Sequence, residues 1–384
     1  MFKEVVNIMP DDKFIDDYIR ISEKHAVGTS SFLILKTDGY KYIKTENNNM
    51  FFIKCDLNFN LSNQLIFELN QSKLIILHSF NSNYLNFLNK ISSAIKIIWI
   101  FWGIDGYNAI TKSSYFPYDS VRMQYSKNFY GLLKSIIRHF RNSLILDKEL
   151  SCRKIINRVD YCATFVKDDI KIAKTINPNI QPLYFNYFNN HGYNMLENSV
   201  TKKNTTNDIF LGNSANPTNL HISALNYLSK INFKGKIYCP LSYSGTRDYV
   251  ENIVNFGFSS FGKNFIPLKE FLDYKEYTEI ISKCDFVLMN HIRQQSVGTI
   301  FKSICLLKPV ILNDKSFLRS TFLEWGLKIY DLRILNKIHL IKKSDLLSNK
   351  KIVLEKLDEK NNHQFFNKIL EISKSSINQN KLIE

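Results

Sequence analysis

The clearest pattern along the chain is an alternation of short apolar runs with longer amphipathic stretches. In the second half, apolar runs at 208–212, 236–240, 285–289 and 309–312 are separated by segments with helical periodicity. Each run is apolar throughout, which is typical of strands covered on both faces of a parallel sheet. Strands that alternate with helices at this spacing predict a doubly wound α/β domain.

The first half of the chain shows the same pattern with less regular spacing. A polar stretch at 197–207, rich in turn-forming residues, separates the two halves. We predict an N-terminal domain over 1–200, a C-terminal domain over 208–345 and a charged helical tail over 346–384. A chain of 384 residues exceeds the usual size of one hydrophobic core, which agrees with two domains. The strands predicted in the first half are 4–9, 32–36, 51–54, 73–77, 96–102, 161–166 and 182–185.

The formal net charge of +16 widens the set of candidate partners. A strongly basic protein attracts nucleic acid, anionic membrane surfaces and anionic small molecules. The abundance of Lys, Asn, Ile and Phe is typical of AT-rich genomes, so drift in composition also explains part of the charge. No helix-turn-helix, RNA-recognition or zinc-finger signature accompanies the charge, and we therefore expect no nucleic-acid partner.

Cysteine usage and the apolar runs bear on metal binding and location. Six cysteines occur without a Cys-x-x-Cys pair or a nearby histidine cluster, so we expect buried thiols, a reducing compartment and no metal site. The first residues lack the pattern of a signal peptide. The longest apolar stretch, 95–102, is interrupted by Lys96 and is too short to span a bilayer. These features predict a cytoplasmic protein or one that is peripheral on a membrane.

A first candidate site follows the first predicted strand of the second half. Gly212, Asn213 and Ser214 connect that strand to a helix with a proline near its first turn. Glycine lets the backbone approach a ligand closely, and the N–H groups at a helix start suit a diphosphate. The alternative is an ordinary loop in which Asn213 and Ser214 cap the helix.

A second loop, at 291–300, follows a later strand and opens another helix. Arg293 can bind a phosphate through two parallel hydrogen bonds. Gly298 and Thr299 lie at the helix start, where the helix dipole favours an anion. A solvated arginine and a capping threonine are the alternative. Two such loops at strand ends of one sheet favour a binding site more strongly than either loop does alone.

An apolar strand of the first half ends in Trp102 and Gly103 and is followed by Asp105. Asp105 is the best-placed carboxylate in this half for removing a proton from an acceptor hydroxyl. Trp102 and Tyr107 can stack on sugar faces, or they belong to the core while Asp105 stabilises a turn. His78 also ends a strand and is a second candidate for this site, although a lone histidine is more often structural.

Residues 122–141 combine five basic residues with an apolar set at helical spacing. This pattern predicts a basic amphipathic helix that lies on an anionic membrane surface. A surface helix that packs on its own domain would have the same composition.

Three of these segments resemble the glycosyltransferase family 56 proteins, the TDP-N-acetylfucosamine:lipid II N-acetylfucosaminyltransferases. The likeness rests on Trp-Gly-x-Asp at 102–105, Gly-Asn-Ser at 212–214 with Asn-x-His at 219–221, and Arg-Gln-Gln-x-x-Gly-Thr at 293–299. It implies a GT-B glycosyltransferase fold, in which two Rossmann-like doubly wound domains face a cleft.

The resemblance also implies the substrates. It implies a dTDP-linked 4-amino-4,6-dideoxyhexose as the donor and a polyprenyl-diphosphate-linked saccharide at the inner membrane as the acceptor. We expect neither a cofactor nor a metal ion. The donor-binding residues that it implies are Gly212, Asn213, Ser214, Arg293, Gln294, Gln295, Gly298 and Thr299, with Tyr243 and Phe265 as weaker candidates for the nucleoside. The expected acceptor-side residues are Asp105 and His78 for catalysis, with Trp102, Gly103 and Tyr107 for binding.

Other functions remain open from sequence. A transferase that adds a related sugar to a different oligosaccharide would carry the same motifs. A two-domain epimerase would need several titratable residues converging on the site, and the sequence offers no such set. A basic protein that binds membranes or nucleic acid without catalysis would show salt-sensitive binding and no affinity for dTDP.

Overall fold

The computed structural model consists of two compact α/β units. It describes residues 2–12, 14–26, 28–36, 42–45, 47–110, 114–117, 146–188, 193, 196 and 207–375. Within that part of the chain, unit 1 comprises 2–110, 146–188 and 359–375, and unit 2 comprises 114–117, 193, 196 and 207–358. The predicted amphipathic helix at 122–141 lies outside the described residues.

Unit 1 is built on a parallel sheet in the order β3-β2-β1-β4-β5-β6-β7 among the described residues. Its strands are β1 (Val5–Met9), β2 (Ser30–Lys36), β3 (Met50–Lys54), β4 (Leu74–His78), β5 (Lys96–Ile100), β6 (Tyr161–Ala163) and β7 (Gln181–Leu183). The order reverses direction between β1 and β4, so the carboxyl ends of these strands flank a crevice of the kind that binds ligands in doubly wound sheets. Every residue of β1 and of β4 is buried, as the continuous apolar runs predict.

Helices cover this sheet between the strands. They are α1 (Ile15–His25), α2 (Asn63–Leu69), α3 (Leu85–Leu88), α4 (Ile104–Tyr107), α5 (Leu146–Arg158), α6 (Lys167–Ile176) and, from the end of the chain, α13 (His363–Ser375). Most of them carry an apolar face toward the sheet. In α1, Ile15, Tyr18 and Ile19 are buried and the charged residues lie on the other side.

The C-terminal segment differs from the predicted tail over 346–384. Phe365 and Phe366 of α13 belong to the same buried cluster as Tyr18 and Phe185, so the chain returns to unit 1 after residue 358. Glu359 strengthens this return, because its carboxylate accepts a hydrogen bond from Lys24 across 2.7 Å. The apolar face of α13 therefore completes the core of the first unit, and α12 (Lys343–Lys356) stays with the second.

Unit 2 has a parallel sheet in the order β10-β9-β8-β11-β12 among the described residues. Its strands are β8 (Ile209–Leu211), β9 (Ile237–Pro240), β10 (Phe265–Leu268), β11 (Phe286–Met289) and β12 (Val310–Leu312). Its helices, besides α12, are α7 (His221–Lys230), α8 (Arg247–Phe261), α9 (Tyr274–Lys283), α10 (Val297–Cys305) and α11 (Phe317–Glu324). Here the order reverses between β8 and β11, which places a second ligand-binding crevice at their carboxyl ends.

One strand of unit 2 escapes sequence-based prediction. β10 is not among the four apolar runs that predict strands in the second half, and the helix after it, α9, starts at Tyr274 behind the capping box of Asp273 and Glu276. Pro267 obscures this strand in the sequence, because proline cannot donate to a ladder. β10 accommodates it as an edge strand of the sheet.

The structure also bears on the predicted burial of the cysteines and on membrane-spanning helices. All six cysteines lie in the described residues, where they are buried free thiols. Among the helices that the structure describes, none is both long and apolar enough to cross a membrane.

Candidate functional site

The two candidate loops of unit 2 come together at the reversal point of its sheet. β8 pairs with β11, with Ile209 opposite Phe286 and Leu211 opposite Leu288. Gly212, the first residue beyond β8, donates its N–H to the carbonyl oxygen of Leu288 across 2.9 Å. The loop after β8 and the loop after β11 therefore start side by side at the same edge of the sheet.

Side chains then join the two loops. Gln295 donates from Nε2 to Oδ1 of Asn213 across 2.8 Å. The side-chain oxygen of Gln295 lies 2.6 Å from Oγ1 of Thr218, which in turn accepts a hydrogen bond from Nε of Arg293 at 3.2 Å. Asn213, Arg293 and Gln295, predicted as donor-binding residues from separate stretches of sequence, thus belong to one hydrogen-bonded group. Thr218 connects them, and the sequence offered no sign of it beyond a position near a helix start.

Gly212 occupies a position that only glycine fits without strain. Its φ of +71° lies in the left-handed region, and a Cβ there would meet Nε2 of His221 at 3.0 Å and Cγ of Asn219 at 3.3 Å. Asn219 is fully buried and donates to the carbonyl oxygen of Ser214 across 2.9 Å. The Gly-Asn-Ser segment is therefore held against the Asn-x-His segment that follows it.

The start of α10 has the features that favour an anion. Ser296 precedes this helix with a φ of +56°, and Gly298 and Thr299 lie half-buried in the first turn. The N–H groups of a first turn have no partner within their helix, and the helix dipole adds positive potential there. Arg293, nearly buried just before this turn, adds a full positive charge. Gln294 is half-buried between Arg293 and Gln295 in the same loop.

A buried histidine shapes the Arg293 loop. His291 directly follows the first residue beyond β11 and lies with Nδ1 2.9 Å from the carbonyl oxygen of Arg293. Because a carbonyl oxygen only accepts, Nδ1 carries the proton. Burial lowers the pKa of His291 to about 3, so the ring is neutral and adds no charge beside Arg293. The sequence placed His291 in the loop without a role.

Tyr243 and Phe265, the two residues predicted to contact the nucleoside, have different environments in the structure. Tyr243 is half exposed, and its hydroxyl lies 3.2 Å from Nδ2 of Asn213, so it borders the site. Phe265 is buried in the core of unit 2, where a Cβ added to Gly257 would lie only 2.3 Å from its ring. Phe265 therefore cannot contact a nucleoside, and the assignment is corrected to a packing role.

On the acceptor side, Asp105 lies in the short helix α4 after β5. It is 1% exposed, and its Oδ2 accepts hydrogen bonds from Nε1 of Trp99 at 2.7 Å and from the backbone N of Trp102 at 3.3 Å. Its Oδ1 is buried and makes no hydrogen bond. Burial raises the pKa of Asp105 to about 6, against these hydrogen bonds, which lower it.

His78 does not have the character of an acceptor-binding residue. Its Nε2 lies 3.1 Å from Oδ1 of Asn7 and its Nδ1 lies 2.5 Å from the hydroxyl of Tyr187. An amide oxygen only accepts, so Nε2 donates to Asn7 while Nδ1 accepts from Tyr187. Burial lowers the pKa of His78 to about 3. With both nitrogens engaged and the ring neutral, His78 is a structural histidine, and its predicted catalytic role is corrected.

The three residues predicted to bind the acceptor, Trp102, Gly103 and Tyr107, also differ in their environments. Trp102 is half-buried and packs edge-on against Phe14 and Tyr187. Gly103 has a φ of +115°, which turns the chain sharply between β5 and α4. Tyr107 is buried, and its hydroxyl donates to Oδ1 of Asp169 across 2.7 Å. Tyr107 therefore packs in the core rather than against a sugar, which corrects that prediction.

Comparison with known proteins identifies the family. The model of the 4-alpha-L-fucosyltransferases, glycosyl transferase group 56, matches residues 153–373, more than half of the 384 residues. The chain belongs to this family. It is a glycosyltransferase, and the match includes all the donor-side loops of unit 2 while leaving Asp105 and His78 outside.

Solved structures show the fold. A glycosyltransferase from Rickettsia africae is similar with a TM-score of 0.59 and 11% identity, over 98% of this chain and 99% of that one. Anabaena HepE, solved with UDP and glucose, gives 0.60 and 10%, over 96% and 99%. A UDP-forming trehalose-phosphate synthase from Burkholderia xenovorans gives 0.59 and 6%, over 98% and 99%. At these identities the likeness concerns the fold, and it confirms the predicted GT-B class of this glycosyltransferase.

Two further observations concern metal binding and missed residues. In the part of the chain that the structure describes, no group of three or more His, Cys, Asp or Glu side chains could hold a metal ion. Two residues that bond to predicted site residues were not predicted from the sequence. Thr218 bonds to Arg293 and Gln295, and Asn7 bonds to His78. Asn7 carried a usable signal, because it is a lone polar residue in the otherwise apolar β1.

Proposed function

We propose that the protein transfers a 4-amino-4,6-dideoxyhexose, similar to N-acetylfucosamine, from a dTDP-sugar to a polyprenyl-diphosphate-linked saccharide. The observation that carries the donor side is the group formed by Asn213, Arg293 and Gln295 beside the first turn of α10. Membership in a fucosyltransferase family supports a deoxyhexose as the transferred sugar. HepE, which has a similar fold, was solved with UDP and glucose, which supports a nucleotide-sugar donor.

In this proposal the diphosphate of the donor lies between Arg293 and the N–H groups of Gly298 and Thr299. Negative charge develops on the leaving dTDP as the bond to the sugar breaks. A nearly buried guanidinium and a fixed helix start stabilise that charge without having to reorganise. These groups can fill the role of a divalent cation at the diphosphate, so we propose transfer without a metal ion.

On the acceptor side we propose Asp105 as the base that takes the proton from the acceptor hydroxyl. A pKa of about 6 leaves the carboxylate ionised at neutral pH and makes it a stronger base than an exposed aspartate. Oδ2 is engaged by Trp99 and by the backbone of Trp102. Oδ1 makes no hydrogen bond but is buried, so in this proposal the acceptor reaches it only after a local opening around α4. Trp102, half-buried at the end of β5, would stack on the acceptor sugar.

The acceptor and the place of reaction follow from the family resemblance and the charge. A polyprenyl-linked acceptor lies in the membrane, and a net charge of +16 attracts the protein to an anionic surface. We propose action at the cytoplasmic face of a bacterial inner membrane, in the synthesis of a surface polysaccharide of the O-antigen, capsule or enterobacterial-common-antigen type.

Thermal unfolding with added nucleotides tests the donor class directly. A ligand that binds only the folded state at about 100 times its Kd adds about 2.7 kcal/mol of stability. We expect dTDP to raise the unfolding midpoint more than UDP or GDP does. Mass spectrometry of products from a panel of dTDP-sugars and lipid-linked acceptors then identifies both substrates. No midpoint shift with any nucleotide, combined with salt-sensitive binding to DNA or anionic vesicles, would instead support a non-catalytic basic protein.

A further inference from the structure

Tyr274, the first residue of α9, has one face of its ring covered by a cation and the other face exposed. Nζ of Lys302 lies 3.6 Å from the centroid of this ring. The residue is nevertheless 63% exposed. A cation at that distance covers one face of the ring, so the exposed surface belongs to the opposite face and the ring edge.

Lys302 explains why the ring stays in this place. The lysine is 6% exposed in α10, donates from Nζ to Oγ1 of Thr278 across 2.8 Å and lies 5.3 Å from the ring centroid of Tyr277. A buried ammonium group costs free energy unless polar and aromatic contacts replace its hydration. These contacts all lie on α9, so the buried charge fixes the first turns of α9 against α10.

The position of Tyr274 relates it to the donor loops. One turn further along α9, the hydroxyl of Tyr277 lies 3.2 Å from Oγ1 of Thr299, and its ring packs edge-on against Phe210 of β8 at 5.2 Å. β8 runs on directly into Gly212. Since α9 starts at the carboxyl edge of the sheet, Tyr274 lies at that edge, one turn before the tyrosine that contacts Thr299 in the first turn of α10.

We infer that the open face of Tyr274 is the stacking surface for the nucleobase of the donor, an inference that rests on the proposed function. A nucleobase attached to a diphosphate on α10 needs an aromatic face nearby that is rigid and accessible. Tyr274 has both properties, whereas Phe265 is buried. Tyr243, bonded to Asn213, borders the same edge from the loop after β9.

Binding measurements on matched variants test this role. Calorimetry would compare the Kd of dTDP and of inorganic pyrophosphate for the wild type, Tyr274→Ala, Tyr274→Phe and Phe271→Ala. We expect Tyr274→Ala to weaken dTDP binding about tenfold, because base–aromatic stacking is worth roughly that much or more. Tyr274→Phe keeps the ring and should bind within about twofold of the wild type. Phe271, 82% exposed three residues earlier, controls for the loss of an exposed aromatic residue.

Pyrophosphate separates the base from the phosphates, and its affinity should be the same in all four proteins. Unchanged dTDP affinity in Tyr274→Ala would overturn the assignment, and so would an equal loss of dTDP and pyrophosphate binding. If the wild type binds no nucleoside diphosphate at all, the proposed function itself fails. Binding by the wild type with an unaffected Tyr274→Ala would overturn the nucleobase assignment alone.

Discussion

Gln295 donates a hydrogen bond to Asn213 across 2.8 Å, and this contact makes one structure of two loops that lie far apart in the sequence. Each loop by itself is compatible with a capped helix start. Joined at the reversal point between β8 and β11, they form the rim of a crevice that doubly wound sheets use for ligands. The geometry of the proposed donor site therefore depends on a side-chain contact as well as on backbone topology.

Removing this contact should weaken donor binding with little effect on stability. We expect Gln295→Ala to raise the Kd for dTDP between about threefold and tenfold, the worth of one or two hydrogen bonds. Gln295 is half-buried, so the unfolding midpoint should change little. The double variant with Asn213→Ala should lose less affinity than the sum of the two single losses, because both changes remove the contact that the two residues share. Fully additive losses would show that the two residues act separately.

Substitution of Gly212 should lower the stability of the protein for two separate reasons. A left-handed φ alone costs a non-glycine residue about 1–2 kcal/mol, and a Cβ at Gly212 would also crowd His221 and Asn219. Gly28 offers a matched control, because its φ of +67° is similar and nothing lies within 4 Å of an added Cβ. We expect Gly212→Ala to lower the free energy of unfolding by at least about 1 kcal/mol more than Gly28→Ala does. Chemical denaturation measures both free energies of unfolding. Equal losses in the two variants would show that crowding by His221 and Asn219 does not constrain this position.

The same glycine variants should separate in dTDP binding. Gly212→Ala shifts the loop that carries Asn213, so its affinity for dTDP should fall, whereas Gly28 lies in unit 1, outside the donor loops. Calorimetry at one salt concentration would measure the difference. Retention of full affinity by Gly212→Ala would show that the loop adjusts without losing its function.

Local sequence was sufficient to predict the fold and to place the two candidate loops at strand ends of one sheet. The strands of unit 2 are short apolar runs. Gly212 follows β8 directly and Arg293 lies four residues beyond the end of β11, so the motif and its structural context lie within a few residues. Contacts between distant residues were out of reach. Thr218 meets Arg293 across 75 positions and Asn7 meets His78 across 71, and both pairings depend on strand order. Such contacts become visible only once the sheet is built.

The wrong assignments share one physical cause. His78, Tyr107 and Phe265 follow or lie near strand ends, where a polar or aromatic residue suggests a ligand site. Each is instead satisfied internally: His78 by Asn7 and Tyr187, Tyr107 by Asp169, and Phe265 by close packing against Gly257. Burial together with internal partners decides against a ligand role for these three. Asp105 is equally buried but differs from them, because its Oδ1 makes no hydrogen bond. The sequence of one chain contains little information on burial at the ends of strands.

Asp105→Asn should separate catalysis from donor binding. The asparagine oxygen can still accept hydrogen bonds from Trp99 and from the backbone of Trp102, so the fold should persist. The variant lacks a basic carboxylate, and we expect turnover to fall between about 100-fold and 10,000-fold, the range of general acid–base catalysis. The Kd for dTDP should not change. Asp169→Asn is the control for altering a buried carboxylate nearby, and it should retain turnover if Asp105 is the base. Near-normal turnover of Asp105→Asn would remove it from the mechanism.

Acid should destabilise the protein through its buried histidines. Burial lowers the pKa of His78, His221 and His291 to about 3, against an ordinary value of 6.5. Below pH 6.5 the unfolded chain binds protons that the folded chain does not, so stability is full above that pH and falls toward pH 3. Each histidine contributes a slope of about 1.4 kcal/mol per pH unit. Asp105 opposes them between pH 6 and 3.8, because its raised pKa makes the folded chain take up a proton first.

His78→Gln isolates one of these contributions. A glutamine amide can donate to Asn7 and accept from Tyr187, as the neutral histidine does, but it does not titrate. We expect the loss of unfolding free energy between about pH 6 and about pH 5 to shrink by about 1.2 kcal/mol in this variant, measured by urea denaturation. His339→Gln, at an exposed position, controls for the replacement of a histidine by glutamine. An identical pH dependence in His78→Gln would mean that His78 takes up its proton in the folded protein, which would require its hydrogen bond from Tyr187 to break.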